Sequence, residues 1–279
     1  MRRDGSDRRH RSGDRARTGA SRGGGDHHRT RNRERGEAAA AEARTASGGL
    51  GAFLAADLSS QNEVRRLADD ILRRHQRIDV LVNNAGGMFL RRRLSPDGIE
   101  MTFALNHLSG FLLTDLLLPA LYRASSGRIV NVASDAHRGV DIDFEDLQGE
   151  RGYQGWAAYK RSKLANICFT FALARRLAGS TVTANALHPG FVATDFGARG
   201  DRITRIGWRL VSLFAIDVEK GAETPIYLAA SADVEGVNGR YFSECRPVEP
   251  AAPARDLDVQ RKLWDVSAEM TGVFASWPR

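Results

Sequence analysis

Beyond Gly51 the chain alternates short apolar runs with longer stretches in which apolar residues recur every three or four positions. The first pattern suits strands buried on both faces, the second amphipathic helices. Residues 53–56 read as a short strand ending at Asp57, and 61–74 as a helix with Val64, Leu67 and Ile71 on one stripe. A strand follows at 78–82, with a turn of Asn83, Asn84, Ala85 and Gly86 at its carboxyl end. Next come a leucine-rich helix over 98–124, a buried strand over 128–132, a helix over 155–177 and a strand over 182–187. A helix over 220–230, a last strand over 240–243 and a terminal helix over 256–271 complete the pattern. Strand and helix in alternation predict an α/β fold: a doubly wound parallel sheet flanked by helices, of Rossmann type.

Charge changes this picture only at the N-terminus. The net charge is +7, and residues 1–35 account for it with 12 arginines against 5 acidic residues. With Met1, Ala16 and Ala20 as its apolar residues, that segment cannot build a core, and residues 1–30 are expected to be a disordered basic tail ahead of one domain at 31–279. A phosphate-binding arm is the other reading, but no aromatic residue is interleaved to stack on bases, which argues against nucleic acid as a partner. The best candidate for a membrane span, 111–122, is short and interrupted by Asp115 and Pro119, so none is expected. No secretory-type apolar segment opens the chain, and Cys168 and Cys245 lack metal-ligand spacing. Together these features predict a cytoplasmic protein with reduced thiols and no metal site.

The candidate chemistry gathers at strand ends. In open α/β sheets ligands bind beyond the carboxyl ends of the strands. Asp57, the Asn84-Ala85-Gly86 turn, Ser134 and the His188-Pro189-Gly190 turn each follow a predicted strand. Ordinary turn chemistry explains any one of them; jointly they outline a crevice. Beside it, Tyr159 and Lys163 lie four residues apart on a predicted helix and so share a face. An ammonium near a phenol favours the phenolate, so the pair is expected to lower the tyrosine pKa and to move protons to or from an alcohol oxygen.

Five runs stand in a fixed order: Val-Asn-Asn-Ala-Gly (82–86), Leu-Asn-His (105–107), Arg-Ile-Val-Asn-Val-Ala-Ser (128–134), Tyr-Lys-Arg-Ser-Lys-Leu-Ala-Asn (159–166) and His-Pro-Gly-Phe-Val-Ala-Thr (188–194). In this order they resemble the short-chain dehydrogenase/reductase family. The Ser-Lys-Leu-Ala-Asn run and Asp-Phe-Glu-Asp-Leu-Gln (143–148) resemble its retinol-dehydrogenase-like branch. The resemblance implies Tyr159 as general acid or base, Lys163 as its partner and ribose holder, Ser134 on the substrate oxygen, and Asn106 keeping a water in a proton path. It implies a cofactor cradle of Asp57, Leu58, Asn84, Ala85, Gly86, Tyr159, Lys163, Pro189, Gly190, Val192 and Thr194. Asn106 as an ordinary satisfied helix residue, and Ser134 as a turn cap, remain open. Arg31 stands where a basic residue favours a 2′-phosphate, which leans the cofactor from NAD toward NADP. Residues 197–214 read either as an apolar lid over a lipophilic carbonyl or alcohol substrate or as a surface helix; the branch implies a monomer or a homodimer.

The front end departs from the pattern. Gly19, Gly23 and Gly25 match the family's phosphate-binding turn, but no apolar strand precedes them and no amphipathic helix follows. The first strand-helix-strand unit is therefore expected to be lacking or distorted. The expected function is an NAD(P)-dependent oxidoreductase interconverting an alcohol and a carbonyl. The alternative is a noncatalytic relative, impaired in cofactor binding, that acts through interactions.

Overall fold

The computed structural model describes residues 37–38, 40–41, 51–190 and 218–273, and the chain divides into two units between Ala55 and Ala56. On the N-terminal side the described residues comprise four helical positions, 37–38 and 40–41, and the stretch 51–55. The unit beginning at Ala56 carries the sheet and the helices that pack on it.

Five strands run in the order β1 (Val80–Asn83), β2 (Gly127–Val132), β3 (Val182–His188), β4 (Tyr241–Ser243) and β5 (Arg246–Val248). The first four are parallel, whereas β4 and β5 form an antiparallel hairpin. The hairpin corrects the expectation that the strand after residue 240 is the last. Glu244 and Cys245 take positive φ at its tip, a conformation that leaves no mark in hydrophobic patterning. The strand expected at 53–56 is also absent: residues 51–57 carry no regular secondary structure. Short apolar runs form strands only where a neighbour supplies hydrogen bonds.

Period-two alternation divides the core between the faces. Val130, Val132, Leu187 and Phe242 face the helix α4 (Val218–Ala230) through Leu228. On the other face Ile129, Val182 and Ala184 meet helices α1 (Gln61–Arg74), α2 (Met101–Leu121), α3 (Gly155–Arg176) and α6 (Leu257–Thr271). There Trp264 of α6 packs on Phe111 and Phe169, and the Arg176 guanidinium lies 3.8 Å from its ring centroid. A short helix α5 (Ala252–Arg255) leads into α6.

Local chemistry sets the helix ends. Gly98 adopts φ +74, and the buried Glu100 carboxylate accepts from the Thr102 and Phe103 amides, so α2 starts at Met101 rather than at 98. Asp256 caps α6 on the Asp258 and Val259 amides. Helix α2 contains a π turn, Ala104–Leu108. Over an 18-residue stretch of its 21 residues the mean hydropathy is 1.3; by length and composition alone that stretch would reach across a membrane, and it is longer than the expected 111–122 stretch. Of that stretch, 67% is buried in the fold.

Candidate active site

The carboxyl end of β2, the segment beyond β1 and the first turns of α3 meet around Lys163. Its ammonium donates to the Val132 carbonyl at 3.0 Å and lies 5.7 Å from the Tyr159 ring centroid. Ser134, extended at the end of β2, hydrogen-bonds the Tyr159 phenol and also accepts from the Ala136 amide at 3.2 Å. Ser134, Tyr159 and Lys163 thus form one cluster, and Ser134 is a turn cap as well. Trp156, one helical turn before Tyr159, stacks on it at 5.6 Å between centroids.

Asn106 joins the turn after β1 to α3. Its Oδ1 accepts from the Gly87 amide at 2.8 Å, and its Nδ2 donates to the Gly87 carbonyl at 2.9 Å and to Ser162 Oγ at 2.8 Å. Both amide protons are therefore spent on the scaffold, as the reading of a satisfied helix residue expects. Ser162 passes the connection on by donating to the Tyr159 carbonyl at 2.7 Å. Gly86 lies against this clamp: a Cβ there would stand 3.3 Å from Asn106 Oδ1 and 3.4 Å from Lys163 Nζ. A Cβ would therefore sit tightly against Asn106 and in contact with the lysine, so glycine keeps this approach open.

Electrostatics correct the expectation of an acidified phenol. Burial pushes the Tyr159 pKa up, and the Ser134 hydrogen bond pulls only partly against it. Burial also brings Lys163 down to about 8. Each group loses water on folding, and desolvation penalises whichever form carries charge. In this environment the pair favours a neutral phenol beside a lysine that gives up its proton readily.

Among the other expected cradle residues, Asn84 and Ala85 lie in the turn beyond β1, and Pro189 and Gly190 follow β3, with Gly190 at φ +84. Asp57 Oδ1 accepts from the Ser59 amide and hydroxyl at 3.0 and 2.7 Å, a local turn cap. Leu58 packs against the hydrophobic core. Gly19, Gly23, Gly25, Arg31, Val192, Thr194 and the segment 197–214 lie outside the described residues.

Three supports escaped sequence reasoning. Ser162 and Trp156 were visible in principle, three residues either side of Tyr159 on its helix. His137 was not. Its Nε2 accepts from the Ala251 amide at 3.0 Å, so the ring proton sits on Nδ1 and faces the Ser134 carbonyl at 2.7 Å. That brace spans more than a hundred residues of sequence.

The short chain dehydrogenase family model matches residues 16–202. Retinol dehydrogenase 14 of Mus musculus is 47% identical over 221 residues, covering 78% of this chain and 66% of that protein. The chain therefore spans slightly under two thirds of that relative's length. Among solved structures, an uncharacterized protein from Mycobacterium Paratuberculosis is 33% identical with a TM-score of 0.65, over 86% of this chain and 81% of that one. The Pseudomonas aeruginosa RhlG/NADP active-site complex is 28% identical with a TM-score of 0.54, over 74% and 80%. Fold, motif order and family match agree: the chain belongs to the short-chain dehydrogenase family of oxidoreductases.

Proposed function

We propose that the chain interconverts an alcohol and a carbonyl, with a nicotinamide cofactor as hydride partner. The supporting observation is the Ser134 hydroxyl hydrogen-bonded to a buried Tyr159 phenol with Lys163 behind the ring. The cradle beside Lys163 suits a cofactor: Gly86 leaves the space that a Cβ would fill, and Gly190 takes the left-handed turn beyond β3. Asn84, Ala85, Gly86, Lys163, Pro189 and Gly190 would hold it. When bound, it supplies or accepts the hydride.

The chain's own residues handle the proton. Tyr159 delivers it to the carbonyl oxygen in reduction and takes it back in oxidation. Ser134 donates to the same oxygen, steadying the charge that develops there. The raised Tyr159 pKa keeps the phenol protonated, which suits reduction. A lipophilic alcohol or aldehyde is the favoured substrate class, since a close relative carries the name retinol dehydrogenase. NADP is favoured over NAD on Arg31 and on the NADP named with the Pseudomonas structure. Two free thiols, Cys168 and Cys245, suit a cytoplasmic setting.

Tyr159→Phe tests the assignment, because only a hydroxyl leaves. Turnover of an aliphatic aldehyde with NADPH should fall by about 10²–10⁴ while the unfolding midpoint stays put. A variant that keeps most of the rate rejects Tyr159 as the proton carrier.

The absent strand at 53–56 favours a second reading, a relative that binds cofactor poorly. Isothermal titration with NADPH and NADH separates the two. Micromolar binding by the full chain rules out impairment, and no heat with either supports it.

A further inference from the structure

Helix α3 flanks its tyrosine at both ends. Lys163 stands one turn after Tyr159 and Trp156 one turn before it, so the two lie on either side of the phenol along the helix axis. On the lysine side is the cradle assigned above to the cofactor, where a Cβ on Gly86 would stand 3.4 Å from Lys163 Nζ. On the other side the indole lies nearly parallel to the phenol ring, with 20° between planes and 5.6 Å between centroids. Tyr159 is buried, whereas Trp156 is 52% exposed.

One exposed tryptophan is ordinary, and this one could simply shield the phenol. A second segment makes the place apolar. A Cβ on Gly155 would run into the Phe89 carbonyl and lie 2.7 Å from Leu90 Cα, so the stretch beyond β1 crosses α3 at the residue next to Trp156. The Tyr153 hydroxyl donates to the same Phe89 carbonyl at 2.7 Å and fixes the crossing. Leu90 is itself 48% exposed. Two segments held together by backbone contact thus each leave a large apolar side chain open to solvent close to a buried proton donor.

We propose that Trp156 is a specificity-determining residue: a shelf for the substrate's ring, selecting flat aromatic carbonyls and alcohols over saturated ones of the same skeleton. The inference rests on the oxidoreductase reading above. With the cofactor on the Lys163 side, a substrate oxygen at the Tyr159 and Ser134 hydroxyls leaves the Trp156 side for the groups on the carbonyl carbon. A flat ring can stack on the indole, where the two quadrupoles add to the area covered. A puckered saturated ring touches it through a few hydrogens, and Leu90 attracts either kind alike.

Two measurements on the full chain test this. The first is kcat/KM with NADPH for 2-naphthaldehyde and its decahydro counterpart. The second is calorimetric titration of the two corresponding alcohols with NADPH present, a pairing that cannot exchange hydride. The unsubstituted chain should bind the naphthyl alcohol more tightly. In Trp156→Leu the naphthyl-to-decahydro ratio should fall by about threefold to tenfold in both measurements, the scale of one aromatic pair. Trp156→Phe, which keeps a flat ring, should retain most of the preference. Each ratio compares two ligands on one sample, so a partly unfolded fraction cancels. A tryptophan that only shields the phenol would change both substrates alike. An unchanged ratio in Trp156→Leu, equal loss in Trp156→Phe, or no binding or no discrimination by the unsubstituted chain would overturn the inference. Naphthyl preference in binding without turnover of either aldehyde would uphold the shelf and count against the proposed reaction instead.

Discussion

Lys163 sets the pH behaviour expected of the Ser134–Tyr159–Lys163 cluster. Its pKa is lowered to about 8, so its charge is present below that pH and lost as pH rises through it. With Tyr159 still protonated there, kcat/KM for carbonyl reduction should decline on the alkaline side with an apparent pKa near 8. Lys163→Arg, which keeps its charge, should remove that decline even if the rate is lower throughout. A profile for the unsubstituted chain that stays flat to strongly alkaline pH would contradict the assignment. Residue identity made Tyr159, Lys163 and Ser134 legible as partners. The direction of their pKa shifts was not, because it depends on how much of the fold lies over them.

Helix α2 shows what an element adds to its residues. The Leu-Asn-His motif falls in its π turn, where the wider backbone carries Asn106 into the clamp on Gly87 and His107 into the core. His107 Nε2 meets Ser267 Oγ at 2.8 Å, and the ring packs beside Phe103 and Phe169. Burial brings its pKa down to about 4 from an ordinary 6.5. The unfolded chain therefore takes up the proton first as pH falls. The stability contributed by neutral His107 is complete above about 6.5 and is lost as pH falls toward 4. His107→Leu should flatten that acid-side loss by as much as about 3 kcal/mol, measured by urea unfolding across the same range. An unchanged slope would show that the ring is solvated. At the start of α3, Gly155 is fixed by its neighbours: a Cβ there would come within 2.4 Å of the Phe89 carbonyl and 2.7 Å of Leu90 Cα. Neither packing constraint leaves a periodic signal.

At the scale of the whole molecule, the exposed edge of the sheet stands out. Among the described residues β1 is paired on one side only, and its Val80 and Val82 are 37% and 41% exposed. An apolar edge strand invites pairing with other chains. Val82→Lys should lower light scattering on warming without lowering the unfolding midpoint, and equal scattering would exonerate this edge. The strand-helix alternation and the parallel order could both be read from the chain. The β4–β5 hairpin and the lack of a strand at 53–56 could not, since each depends on which segments become neighbours.

Chain order alone settled which side chains could work together: a tyrosine and a lysine one turn apart, a serine at a strand end, and the runs that place them in a family. Those are local or sequential relations, and backbone geometry converts them directly into shared faces. Folding decided the rest. Only the assembled interior removes water from Tyr159 and Lys163, seats Gly86 against Asn106 and braces Ser134 through His137. Desolvation and contact distance are sums over groups far apart in sequence, so they exist only once the chain has closed on itself.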